Sequence, residues 1–191
     1  MAEWVLDVER AYVAAATKRT IVDESAADQT ARAKALAAIG AVASHYLAVG
    51  TPRSLGLVVD TQTLGAGVLS LEAHRTWFSP TDVRCHYVVE PEGVRLIEGT
   101  RATTLAEALA CDIVCVHTKL FLDSRAFRRG THINVLAANV IVGDELEKIA
   151  DITREVPGLG QLAAGFVDGR QLDEITLFLA GNATIAIAAL G

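Results

Sequence analysis

Apolar residues recur at Val5, Val8, Ala11, Tyr12 and Ala15, the spacing of one helical face, so residues 3–19 read as an amphipathic helix. Residues 21–30 turn polar and acidic and read as a connecting loop. A second helix is expected from about Asp28 to Ala48, with Leu36, Ile39, Ala43, Tyr46 and Leu47 on its buried side; Gly50-Thr51-Pro52 ends it. The period then changes. Leu55 to Val59 is an unbroken apolar run, as in a parallel strand covered on both faces. Helical spacing returns over residues 63–77, with Asp60 or Thr61 placed to cap it. Strands are expected at Val83–Val89 and Val94–Ile97, on either side of a Pro91-Glu92-Gly93 turn. Thr104-Leu105-Ala106-Glu107 has the form of a capping box and opens a short helix. Asp112–Thr118 and His132–Ala137 are further buried strands. The tail predicts helices near 145–150 and 159–164, a turn at Pro157-Gly158, a strand at Ile175–Phe178 and an apolar helix over 183–190.

Strands alternating with helices over roughly 130 residues predict an α/β domain: a Rossmann-like, doubly wound, mainly parallel sheet with flanking helices. No internal repeat or low-complexity tract interrupts it.

Composition adds three constraints. Hydrophobic residues make up 51% and mean hydropathy is +0.34, which predicts more buried surface than one core requires, such as a subunit interface. A net charge of −6 without a basic stripe excludes a nucleic-acid or anionic-membrane surface; Arg125, Arg128 and Arg129 read as a solvated helix end. Cys85, Cys111 and Cys115 are odd in number and lie in apolar stretches, which fits a reducing cytoplasm. The start has the pattern of no signal peptide, and the longest apolar candidate, Ala35 to Val49, is broken by Ser44 and His45, so no membrane span is expected.

Two segments carry a family likeness. Arg129-Gly130-Thr131-His132-Ile133-Asn134-Val135-Leu136 and Asp173-Glu174-Ile175-Thr176-Leu177-Phe178 closely resemble signature strands of the ornithine cyclodeaminase / μ-crystallin family, dinucleotide-dependent enzymes and ketimine reductases. Ala43 to Ala48 is similar to the helix leading into that family's Rossmann domain, and Ala110 to Thr118 to the strand ending beside its nicotinamide. The resemblance implies a division into residues 1–50, a remnant of the substrate and dimerisation domain, and residues 51–191, a Rossmann-like domain closed by a C-terminal helix. It also implies a homodimer through the helices at 3–19 and 183–190. A strand and helix of the family are expected to be missing between Asp151 and Glu155.

The chemistry-bearing positions depart from that pattern. A dinucleotide turn needs glycines so that backbone N–H groups can approach a pyrophosphate. Here the turn is Val59-Asp60-Thr61-Gln62-Thr63; Gly65 and Gly67 come too late, and Asp60 brings a carboxylate to the anion's place. The acidic residue expected after the second strand falls near Tyr87. The family's general-acid aspartate aligns with Asn139, whose amide exchanges no proton near neutral pH, and its carboxylate-gripping base falls near Ala35. Lys119, following Thr118 at a strand's carboxyl end, is the best anion contact.

Cys115 and His117 alternate on one strand face, with Cys85 and His86 on an expected neighbour, yet buried strand positions explain them without a metal. No catalytic residue is assigned. The ligand rim is Asp60, Thr61, Gln62, Thr63, Thr118, Lys119, Asn134 and Asn139. The expectation is a non-catalytic dimeric scaffold or small-ligand-binding protein without cofactor. The alternative is an NAD(P)-dependent enzyme acting on an amino acid or imine.

Overall fold

A computed structural model describes residues 29–48, 50–88, 96–137, 140–153 and 175–180. The expected helices at 3–19, 159–164 and 183–190, and the turns at 91–93 and 157–158, lie outside the described residues. The elements are α1 (Gln29–Leu47), β1 (Ser54–Val59), α2 (Leu64–Trp77), β2 (Asp82–Tyr87), β3 (Arg101–Ala102), α3 (Leu105–Leu109) and β4 (Ile113–Val116). They continue with β5 (Phe121–Leu122), β6 (His132–Val135), β7 (Ile141–Val142), α4 (Asp144–Ile149), β8 (Ala150–Thr153) and β9 (Ile175–Leu179).

Seven strands form one sheet in the order β3-β2-β1-β4-β6-β9-β8, and every neighbouring pair is parallel. β5 and β7 make a separate two-stranded pair. The chain moves outward from β1 to β3, then crosses back and lays β4 on the other side of β1. That reversal is a topological switch point, where the connections leave a crevice at the carboxyl ends of the strands. The doubly wound fold expected from the alternation is the one observed.

Both faces of the central strands are covered, which explains the apolar runs of β1 and β4. On one face Leu55, Leu57, Val59, Cys85, Ile113, Cys115 and Phe178 pack beneath α1 and α2. On the other, Val58, Val114, Val116, Ile133 and Leu177 pack with α3, Leu122, Phe127 and Leu146. The two helices of the first layer pack through small residues, Ala37 and Ala41 of α1 with Ala73 of α2. Thr104 and Glu107 form the expected capping box at the head of α3.

At the amino edge of the sheet Asp112 joins β1 to β4. Its Oδ2 accepts from the Arg53 and Ser54 amides at 2.9 and 2.8 Å and from the Ser54 hydroxyl at 2.8 Å. Arg128 donates to Oδ1 at 2.6 Å, and Arg125 pairs with Asp123, so these cations serve local structure.

Two local expectations change. Of the strand expected at 94–97, residues 94–95 lie outside the described residues, and Leu96 and Ile97 are not in a strand: the Ile97 amide donates to the Tyr87 hydroxyl at 3.0 Å, and the strand that pairs with β2 is Arg101–Ala102. β1 lies between β2 and β4, so Cys85 and His86 are not on the strand adjacent to Cys115 and His117. Residues 150–153 contribute the edge strand β8, paired with β9.

Gly56 records how tightly α3 closes on the sheet. A Cβ there would lie 2.1 Å from the Ala108 carbonyl oxygen, a backbone atom that cannot swing aside. Gly56→Ala is expected to cost about 3 kcal/mol, the upper part of the overpacking range, read as a lower midpoint in urea unfolding. An unchanged midpoint would mean that α3 is not seated over β1.

Candidate functional site

The first turn of the fold, between β1 and α2, is organised by one carboxylate. Asp60 Oδ1 accepts from the Gln62 amide at 2.9 Å, the Thr63 amide at 2.9 Å and the Thr63 hydroxyl at 3.0 Å. Its Oδ2 accepts from the Thr118 hydroxyl at 2.5 Å, across the switch point from β1 to the end of β4. Burial works to raise the Asp60 pKa, but the bonds from Thr118, from the Thr63 side chain and amide, and from the Gln62 amide outweigh it. The carboxyl is held below its ordinary value and is ionised near neutral pH. The residue at the N-cap of α2 is Thr63, whose side chain makes no cap bond; Asp60 satisfies the turn from further back.

Asp60, Thr61, Gln62, Thr63, Thr118 and Lys119 thus meet at one rim, with Thr61, Gln62 and Lys119 exposed. Asn134 is in the middle of β6 and fully buried, while Asn139 is outside the described residues. Gly65 and Gly67 are within α2, as expected, and their uses differ. A Cβ on Gly65 would meet nothing, whereas one on Gly67 would lie 2.8 Å from Val59 Cγ1 and 2.9 Å from Ile97 Cδ1. Gly67 therefore serves the close approach of helix to strand, a role that nucleotide folds also give a glycine, while no glycine opens the turn itself. Tyr87 ends β2, with its hydroxyl engaged by the Ile97 amide.

Beneath α1 and α2 lies a buried polar chain whose extent sequence reasoning did not reach. His74 Nδ1 is 2.7 Å from the Ser70 carbonyl and so carries the proton; its Nε2 is 2.9 Å from Ser44 Oγ. Asn134 Nδ2 donates to Ser44 Oγ at 2.8 Å, and Asn134 Oδ1 is 3.1 Å from His132 Nε2. His132 Nδ1 is 2.8 Å from the Thr176 hydroxyl. One direction satisfies every group: Thr176 to His132, His132 to Asn134, Asn134 to Ser44, Ser44 to His74, and His74 to the Ser70 carbonyl. The Thr-His-Ile-Asn strand resembling the known family supplies its centre, and His132 is buried as expected.

His117, also buried, has no hydrogen-bond partner for its Nε2 among the described residues. Burial lowers the pKa of His74 to about 4, and burial with the nearby His74 lowers that of His117 to about 3, so both are neutral at pH 7. Burial pushes the Cys115 thiol up to about 12 and Cys85 and Cys111 up to about 11, so none supplies a thiolate. Among the described residues no group of three or more His, Cys, Asp or Glu is arranged for a metal.

The fold is thus a doubly wound α/β domain whose first turn, organised by Asp60, lies at the carboxyl edge of the sheet. Solved structures sharpen that description. An archaeal alanine dehydrogenase dimer with bound NAD is 22% identical at a TM-score of 0.63, over 82% of this chain and 61% of that one. The Δ1-pyrroline-2-carboxylate reductase of Thermococcus litoralis, solved with NADH and L-proline, is 18% identical at a TM-score of 0.63, over 85% of this chain and 64% of that one. A probable ornithine cyclodeaminase from Bordetella pertussis Tohama I is 20% identical at a TM-score of 0.64, over 87% and 69%. The fold is that of the ornithine cyclodeaminase-like reductases, in agreement with the resemblance carried by the two signature strands. The chain spans 61% and 64% of the length of the first two of these relatives. No family model and no curated protein matches the sequence.

The bond across the switch point is testable. Thr118→Val removes one donor from Asp60 and should cost about 1 kcal/mol. Because the folded pKa of Asp60 is depressed, its contribution is present above the unfolded value and lost as pH falls through the folded one. The variant's deficit should be full at pH 7 and vanish once Asp60 is protonated. A deficit equal at both extremes would show that the hydroxyl acts only by packing.

Proposed function

We propose that this protein binds a small ligand at the carboxyl rim of the switch point and does not run dinucleotide chemistry in the usual mode. The observation that carries this reading is the Asp60 carboxylate, which takes the Gln62 and Thr63 amides that a glycine turn would turn toward a pyrophosphate. A dinucleotide entering there would have to displace an anion already bonded to four donors, and no glycine lets its phosphates come close. The alignment of the family's acid with Asn139 that the resemblance implies supports a non-catalytic role.

A second reading is an NAD(P)-dependent oxidoreductase acting on an amino acid or imine. It is favoured by the relatives solved with NAD and NADH, whose fold this chain shares. In either reading residues 1–50 are proposed as the remnant of a dimerisation domain, and residues 51–191 as the ligand-binding unit. The alanine dehydrogenase described as a dimer supports a homodimer. Free, buried cysteines fit a reducing cytoplasm, and no described helix is long and apolar enough to cross a membrane.

Thermal unfolding separates the two. Millimolar NAD(H) or NADP(H) is expected to leave the melting temperature unchanged, since a ligand that does not bind the native state cannot stabilise it. A rise with either would overturn the first reading in favour of the second. Within the first, Lys119→Ala should abolish the stabilisation produced by any active member of a metabolite panel. Stabilisation that survives the substitution removes Lys119 from the site.

A further inference from the structure

We infer that the junction of His74, Ser44 and His117 is a proton-sensitive latch that holds the α1–α2 layer on the sheet at neutral pH and releases it on acidification. The geometry of Ser44 is the first support. Its hydroxyl has two acceptors at 2.9 Å, His74 Nε2 and the Gly40 carbonyl one helical turn back. With His74 neutral, the hydroxyl donates to the ring and the chain from Thr176 runs unbroken to the Ser70 carbonyl. A proton on His74 Nε2 reverses that contact: the ring donates to Ser44, and the hydroxyl turns to Gly40. The hydrogen bonds survive the reversal, but a charge is left in a site where the described residues supply no counter-ion.

The surroundings of the two imidazoles are the second support. From α1, Ser44 meets His74; from β4, Cys115 Sγ lies 3.7 Å from its Nε2, and His117 interacts with it electrostatically. The Phe78 ring stacks at 6.3 Å. From β1 the packed residues Leu57 and Val59 are apolar, and the Asp60 carboxylate that follows is turned to Thr118, Thr63 and Gln62. Glu72 and Arg75, on either side of His74 in α2, are exposed, as are Lys34 and His45 of α1. Beyond Ser44, Asn134 of β6 leads to His132, which Thr176 of β9 faces. Among the described residues, then, the titratable groups facing His74 are a neutral thiol and a second imidazole, and no carboxylate compensates a proton on either ring.

The pH window follows from linkage. Folded values of about 4 and about 3 lie below the ordinary 6.5 that each ring regains when the layer lifts. The open state therefore binds more protons below pH 6.5, and acid favours opening until the folded values are reached. Two such rings raise the opening equilibrium roughly fifty-fold from pH 6 to pH 5; one ring raises it roughly eight-fold.

Native-state hydrogen exchange over residues 35–47, corrected for intrinsic rates, measures that equilibrium directly. Wild-type protection is expected to fall about fifty-fold between pH 6 and pH 5, and that of His117→Phe about eight-fold. Protection unchanged with pH, or a variant that falls as steeply as wild type, overturns the latch. If His117→Phe does not fold, NMR titration of the histidine side chains in the unaltered protein decides. Both rings staying neutral in the folded state to below pH 5 supports the latch, and either titrating near 6.5 overturns it.

Discussion

Seven parallel strands, closed on both faces, leave this domain few places for polar chemistry. The central strands β1 and β4 of such a sheet expose side chains only at their ends, because both of their faces are covered. At the amino end the Asp112 carboxylate ties β1 to β4 through backbone amides. At the carboxyl end the Asp60 carboxylate performs a matching task, bonding to Thr118 across the same two strands. The switch point that the topology creates is therefore spanned by the Asp60 carboxylate.

The departures from the pattern that the resemblance implies share a physical direction. Glycines that would open the turn are absent, while Gly67, which lets α2 lie against β1, is present. Packing constraints act on the whole core at once, while a binding turn can be closed by one carboxylate.

Much of the architecture was legible in the sequence because burial on both faces writes itself as continuous apolar runs. Leu55–Val59 and Asp112–Thr118 were placed within one or two residues, and the Thr104–Glu107 capping box was readable from its spacing. Leu96 and Ile97 are as apolar as a strand requires, yet they lie outside the ladder. Nothing local shows that the Ile97 amide is taken by Tyr87, ten residues back. Likewise Asp60 and Thr118 are legible as members of one rim, but the hydrogen bond that joins them across fifty-eight positions is not.

What the sequence determined by itself is the alternating layer structure, the parallel sheet and the absence of a glycine turn, since each depends on residues near one another in the chain. The buried line from Thr176 through His132, Asn134 and Ser44 to His74 joins five residues on two helices and two strands. Only the tertiary structure decided it. Hydrogen bonds between side chains depend on distances that packing sets, and no periodicity in the chain encodes them.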